Sequence, residues 1–260
     1  MNKFFSAIIA IFTFNAVAAP ESDLWSYWNT SNEQNSQVIS HNSWQTILDR
    51  YLVAQEENTL FRYKSISEQD HEKLKDYISD LSTLDPRQFS KDEQYAYWVN
   101  LYNALTVELI INAYPVSSIT QLGRLFSFGP WGDDIVSITG QDLSLNDIEH
   151  RILRPIWNEP RTHYAVNCAS LGCPNLQPQA FTANNRELLL EKSANEFINS
   201  KKGVQIQGED LQLSSIYEWF SVDFGTKAEL MSHLIKYRPE LAQKKGKHRY
   251  DYDWSLNEDK

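Results

Sequence analysis

The sequence predicts an α+β fold: a mainly helical single domain with a small antiparallel sheet built from two hairpins. Three observations predict it. The longest apolar periodicity, Ser90 to Tyr114, recurs at helical spacing and stops at Pro115. Two later segments, Ile138 to Ile148 and Ile206 to Ile216, share the pattern I-x-G-x-D-L-x-L-x-x-I. Each reads as strand, glycine turn, strand and helix start. Tryptophan, tyrosine and phenylalanine make up 13% of the 260 residues, which suits a packed core in a chain of this length.

Taken in order, the chain opens with residues 1–18, which read as an export signal. Lys3 gives the basic start, Phe4 to Val17 the apolar stretch, and Ala16-Val17-Ala18 a small-residue cleavage site. The stretch is too short for a comfortable membrane span. The expectation is a periplasmic or secreted protein with no stable membrane insertion once the signal is removed. Residues 19–42 form a polar N-terminal extension, docked through Trp25, Tyr27 and Trp28. Residues 43–256 form the globular domain.

Trp44 to Tyr51 has the spacing of a first helix, with Trp44, Ile47, Leu48 and Tyr51 on one face. Ser67 opens the second, which runs to just before Pro86. In the long helix from Ser90, Ser90 and Glu93 form a capping box. Asn100 and Asn103 lie one turn apart on it, and asparagine is a poor helix former. They either tie down neighbouring loops or line a polar cleft. Phe126 to Gly132 is an aromatic and glycine stretch that reads as a pocket rim.

After the first hairpin, Ser144 and Asp147 cap a helix carrying Glu149, His150 and Arg151 and ending near Pro155. Residues 161–168 read as a further strand. A helix follows over Arg186 to Ile198, then the second hairpin, with Ser215 and Glu218 as its helix cap. A last helix spans Lys227 to Tyr237. Turn chemistry restricts hairpins enough to explain the likeness of the two segments without a duplication. The tail, Tyr250 to Trp254, is aromatic enough to pack back on the body.

The formal net charge is −10. That argues against nucleic acid and against anionic membrane surfaces as partners. No cofactor is expected.

The chemistry concentrates in Arg161 to Leu176, which holds both cysteines, Cys168 and Cys173, with His163 upstream. An oxidising compartment favours a Cys168–Cys173 disulfide. Its small loop would contribute on the order of 2 kcal/mol. The competing reading makes Cys168 a nucleophile, with His150 or His163 as base, Glu149 or an asparagine as orienter, and Asn167 near an oxyanion. Strand alternation over 161–168 would place His163 and Cys168 on opposite faces, which favours His150. A metal reading of His150, His163, Cys168 and Cys173 matches no usual zinc spacing, so no metal is expected.

Several motifs in order resemble a known family. They are Trp98-Val-Asn-Leu-Tyr-Asn-Ala-Leu-Thr106, Tyr114-Pro-Val-Ser-Ser-Ile119, Leu143 to His150 with Ile152-Leu-Arg154, the 161–176 stretch, and Tyr252-Asp-Trp-Ser-Leu-Asn257. Over about residues 85–256 the chain is similar to the domain of unknown function 547, found in exported bacterial proteins and in plants. The resemblance implies no reaction. It implies which positions matter: Asn100 and Asn103, Glu149 and His150, Arg154, and His163, Asn167, Cys168 and Cys173.

The resulting expectation is an exported cysteine-dependent hydrolase or acyl transferase on a peptide-like substrate, with a papain-like or permuted papain-like arrangement. The papain-like order would need His233 or His248, the only histidines after Cys168. The alternative is a non-catalytic periplasmic binding domain, shaped by the disulfide, that partners a small peptide-like molecule or an envelope protein.

Overall fold

A computed structural model describes residues 20–124 and 127–260; the expected signal segment lies outside them. The architecture is mainly helical α+β with small sheets of two or three strands. The first helices are α1 (Asn42–Tyr51), α2 (Glu68–Thr83) and α3 (Lys91–Ala113). Between α1 and α2 lies a hairpin that the sequence reading missed, β1 (Leu52–Gln55) and β2 (Asn58–Phe61). Its turn, Glu56-Glu57, lacks the glycine or asparagine that marks such turns.

Helix α3 is the axis of the fold. Every residue from Glu93 to Val107 is buried, so the helix is enclosed on all sides rather than on one stripe. Ser90 accepts from the Glu93 amide at 3.4 Å, as expected of a cap. The Glu93 carboxylate does not return to close the box. It accepts from the Ile39 amide and so anchors the N-terminal extension. In that extension Trp28 is fully buried and meets Trp98 edge to face at 5.1 Å.

The next hairpin, β3 (Val136–Ile138) with β4 (Gln141–Leu143), leads into a π-helical turn, Asp147–Leu153, and then α4 (Arg154–Trp157). Ser144 and Asp147 form the expected reciprocal cap, at 3.2 and 3.0 Å. Pro155 does not end the helix; the Arg151 carbonyl, which its missing N–H leaves free, accepts from the Trp25 amide at 3.0 Å instead.

The remaining elements are α5 (Arg186–Asn199), β5 (Val204–Gln207), β6 (Asp210–Ser214), α6 (Ile216–Trp219), α7 (Ser221–Phe224), α8 (Lys227–Tyr237) and β7 (His248–Asp251). The two hairpins do not share a sheet, contrary to expectation. The free edge of β6 is taken by β7, which pairs with it in parallel from Leu211↔His248 to Ser214↔Asp251. Ser215 makes no side-chain capping bond to α6, another departure.

The hydrophobic core forms two clusters. One gathers α1, α2, α3 and the first hairpin; the other gathers α5, β5, β6, α6 and α8. Residues 164–169 run along their seam: Tyr164 belongs to the second cluster, and Ala165, Val166 and Ala169 to the first. Among the described residues, no helix is long and apolar enough to cross a membrane.

Candidate active site

Pro160–Tyr164 is a 3-10 turn, not the start of a strand, and residues 165–168 are loop. Pro160 presets the turn and the Glu159 carboxylate caps it by accepting from the Arg161 amide. The strand alternation expected for His163 and Cys168 therefore does not apply. The two residues still do not meet, because the turn sends their side chains to different neighbours.

Cys168 is partly exposed and Cys173 is buried, and both are free thiols. The expected disulfide is absent. Cys173 Sγ instead accepts from the Cys168 backbone amide at 2.9 Å. Cys168 Sγ is turned to the hydroxyls of Tyr252, at 3.0 Å, and Ser170, at 3.2 Å, which also touch one another at 3.0 Å. Burial alone would raise the Cys168 thiol. Hydrogen bonds from Cys173, Ser170 and Tyr252 outweigh it and hold the group below its ordinary value. Burial and the neighbouring Cys168 push the Cys173 thiol well up. Burial and the Cys168 sulfur also push the Tyr252 phenol well up, so it remains a proton donor.

The loop is fixed to α3. Asn103 donates to Ala165 O at 3.0 Å and accepts from the Asn167 amide at 2.8 Å. The Asn167 side chain bridges Pro174 O and the Ala169 amide, at 2.7 and 2.9 Å, which helps hold Ala169 at a φ of +58°. Asn100 pairs both of its amide groups with the Phe181 backbone. These three asparagines tie loops to the core, each pairing through both its side-chain oxygen and its nitrogen. The tail closes the other side, through Leu171 N to Ser255 O and Gly172 N to Asp253 O, both 2.8 Å. A Cβ on Gly172 would lie 2.7 Å from Asp253 N, so only glycine permits this approach.

The histidines belong to a second, separate group. His163 Nε2 pairs with Asp223 Oδ2 at 2.7 Å, and its Nδ1 lies 3.6 Å from Glu149 Oε1. Its ring stacks on Phe220 at 4.1 Å. Arg154 donates to the same Asp223 oxygen at 2.5 Å and to Pro20 O at 2.8 Å, and its Nη1 lies 3.0 Å from His150 Nδ1. Because the guanidinium can only donate, that nitrogen of His150 accepts and the ring is neutral. Burial drives His150 down to about 4.

For His163, burial opposes the charge, but Asp223 and Glu149 overcome it and raise its pKa. Both acids are held low against burial. Glu149 is brought to about 2 by His150, His163 and Tyr102, and Asp223 to about 2 by His163 and Arg154. The π-helical turn places Glu149, His150 and Arg154 at the centre of this group. Two of its carbonyls, those of His150 and Arg151, accept from the Asp23 and Trp25 amides of the N-terminal extension.

Among the described residues, no histidine hydrogen-bonds Cys168 Sγ, and no cluster of three or more His, Cys, Asp or Glu is arranged to hold a metal. His233 pairs with the Tyr164 hydroxyl at 2.9 Å, and burial lowers it to about 4. Asp223, Ser170 and Tyr252 were not singled out from the sequence. Tyr252 carried a signal, because the aromatic tail had to pack somewhere. Asp223 carried none beyond its place in a turn.

Residues 86–198 match the model of a family described as a protein of unknown function, DUF547. That segment belongs to the DUF547 family. No curated protein and no solved structure matches it. The matched segment holds α3, the π-helical turn, the Cys168 loop and α5. Asp223 and Tyr252, which complete the two polar groups, lie beyond it.

Proposed function

We propose that this protein is a cysteine-dependent hydrolase or acyl transferase acting on a peptide-like substrate, with Cys168 as nucleophile, and that it works in the periplasm or outside the cell. What carries the reading is the Cys168 sulfur itself. It is free, partly exposed and met by two hydroxyls that favour its thiolate. The Cys168 amide, bound only to the weak acceptor sulfur of Cys173, is an oxyanion donor within the same turn.

In the proposed reaction the thiolate attacks the acyl carbon. The tetrahedral intermediate collapses by expelling the amine or alkoxide, which takes a proton from Tyr252. Water or an acceptor nucleophile then attacks the thioester. It yields acid or transferred acyl group, and its proton restores the tyrosine. His150 and His163 have no part at the sulfur. With Glu149, Arg154 and Asp223 they form a buried charge group that holds the π-helical turn against α7.

The test is labelling with a cysteine-directed acylating probe. Labelling should vanish in Cys168→Ser, slow in Tyr252→Phe, and persist in folded His163→Gln. Equal labelling of wild type and Cys168→Ser would refute the assignment. A non-catalytic interaction domain for an envelope protein is the second reading, favoured by how fully the polar groups satisfy one another. On that reading Cys168→Ser retains all function.

A further inference from the structure

A cleft of about 290 Å³ opens beside the thiol. Leu171, Gly172 and Tyr252 are among its walls. It therefore borders the cysteine loop and the phenol that lies 3.0 Å from Cys168 Sγ. Lys202 lines it as well. The expected aromatic rim takes no part: none of residues 127–132 lines this cleft, and Phe126 lies outside the described residues.

Lys202 is half-buried, and its Nζ donates to Asn175 Oδ1 at 2.7 Å. Among the described residues it makes no ion pair. An ammonium carries three donors, and a cation withdrawn from water without a counter-charge is costly. Burial brings the amine down to about 8, against the pull of Cys173, Glu57 and Cys168. At pH 7 it is still charged and short of an anion. Its place is fixed. Asn175 Oδ1 also accepts from the Thr59 amide, and Asn175 Nδ2 donates to Glu57 O, at 3.1 and 3.0 Å. The acids on the cleft are engaged elsewhere. Glu57 accepts from the Lys201 amide, Asp251 from the Gln212 side chain and the Tyr252 amide, and Asp253 from the Ser255 amide, each at 2.9 Å. With Lys201 the lining holds two cations and these three acids, a balance that leaves room for one carboxylate at Lys202 and repels a dianion.

The geometry points to a substrate whose leaving residue is the last of a peptide, with its free carboxylate paired to Lys202 in this cleft. Tyr252 joins the two parts, because it serves the leaving amine and also lines the cleft. The cleft is small for a ligand site and fits one residue better than a continuing chain. The thiolate attacks the carbonyl of the penultimate residue, the C–N bond breaks, and the departing amine takes the Tyr252 proton. Water then cleaves the thioester and returns a proton to the tyrosine. The products are a free amino acid and a peptide shortened by one residue. The inference rests on the cysteine-dependent reading for its chemistry but not for its binding. A hydrogen bond between two charged groups favours the free acid over the matching amide by at least about tenfold.

Two arms test it. In the first, the full protein is given N-acetyl-alanyl-alanine and its C-terminal amide, and release of alanine or alaninamide is followed by chromatography. The free acid should lead in kcat/KM by at least about tenfold. That preference should collapse in Lys202→Gln and in Lys202→Met, which keep the stem and remove the charge. In the second, calorimetry follows binding of the same two peptides to Cys168→Ser. Acid-selective binding that is lost when Lys202→Gln is added supports the cleft, even if neither peptide is cleaved and the catalytic reading falls. Cys168-dependent cleavage with no preference for the acid overturns the cleft and leaves catalysis standing. Equal binding of acid and amide, binding of neither, or an acid preference that survives both lysine variants overturns it as well.

Discussion

The Tyr252 hydroxyl lies 3.0 Å from Cys168 Sγ, across 84 residues of sequence. A phenol kept protonated, beside a thiol held low, is a donor to a thiolate. Tyr252→Phe removes that donor and leaves the ring. The Cys168 pKa should rise, and alkylation by iodoacetamide at pH 7 should slow about tenfold, the worth of one hydrogen bond to a charged group. A pH–rate profile identical to wild type would remove Tyr252 from the site.

Gly172→Ala should act on the same pair from a distance. The new methyl meets the Asp253 backbone, so the tail must shift and carry Tyr252 with it. Slower alkylation and a lower Tm are both expected. The thiol effect should be absent when the substitution is made in a Tyr252→Phe background, because there is no donor left to displace.

Three histidines, His41, His150 and His233, are held neutral by burial, each lowered to about 4. The unfolded chain protonates them near 6.5. Their contribution to stability is present above that value and is lost as pH falls from about 6.5 towards 4. His163 acts with opposite sign. Its pKa is raised, so its contribution is complete below about 6.5 and fades as pH climbs through the folded value. Glu149 and Asp223 keep their contribution until pH drops below about 4 towards 2. Urea unfolding should therefore show a decline already between pH 6.5 and 4.5. His41→Phe should flatten part of it, and a level profile in wild type would contradict the neutral assignment.

Asp223→Asn leaves Arg154 and His163 without their shared carboxylate. Breaking such a group by removing one partner costs about 3 kcal/mol. For a chain of this size that is a Tm loss of roughly 6–12 °C. Imidazole NMR should show the His163 pKa falling. Unchanged titration would mean that Asp223 does not set it.

Asn103→Ala should cost about 2–4 kcal/mol in urea unfolding, because the Ala165 carbonyl and the Asn167 amide lose their partner while still buried. An effect under 1 kcal/mol would show the loop held by other contacts.

The helices were readable because their signals are local. Ser67, Ser90 and Ser144 cap as their neighbours imply, and α8 begins and ends where the pattern does. The hairpins were readable one at a time, but not their placement, which depends on β7 reaching β6 from 37 residues away. At the site, the stretch from His163 to Cys173 stood out by residue type. What each side chain touches did not. His163 answers to Asp223 and Cys168 to Tyr252, supplied from 60 and 84 residues further along the chain. The 161–168 strand failed because Pro160 and a capping Glu159 set a turn that alternation cannot reveal.

The tail's closure over Cys168 also has a clock. Synthesis runs from the N-terminus at about 5–20 residues per second, so Tyr252 follows Cys168 by roughly 4–17 seconds. During that interval the thiol exists without its phenol, and Leu171 and Gly172 without their tail partners. A nascent chain that has already placed Cys168 therefore still carries an unactivated cysteine. Reactivity at this position waits for a residue 84 positions further along the chain.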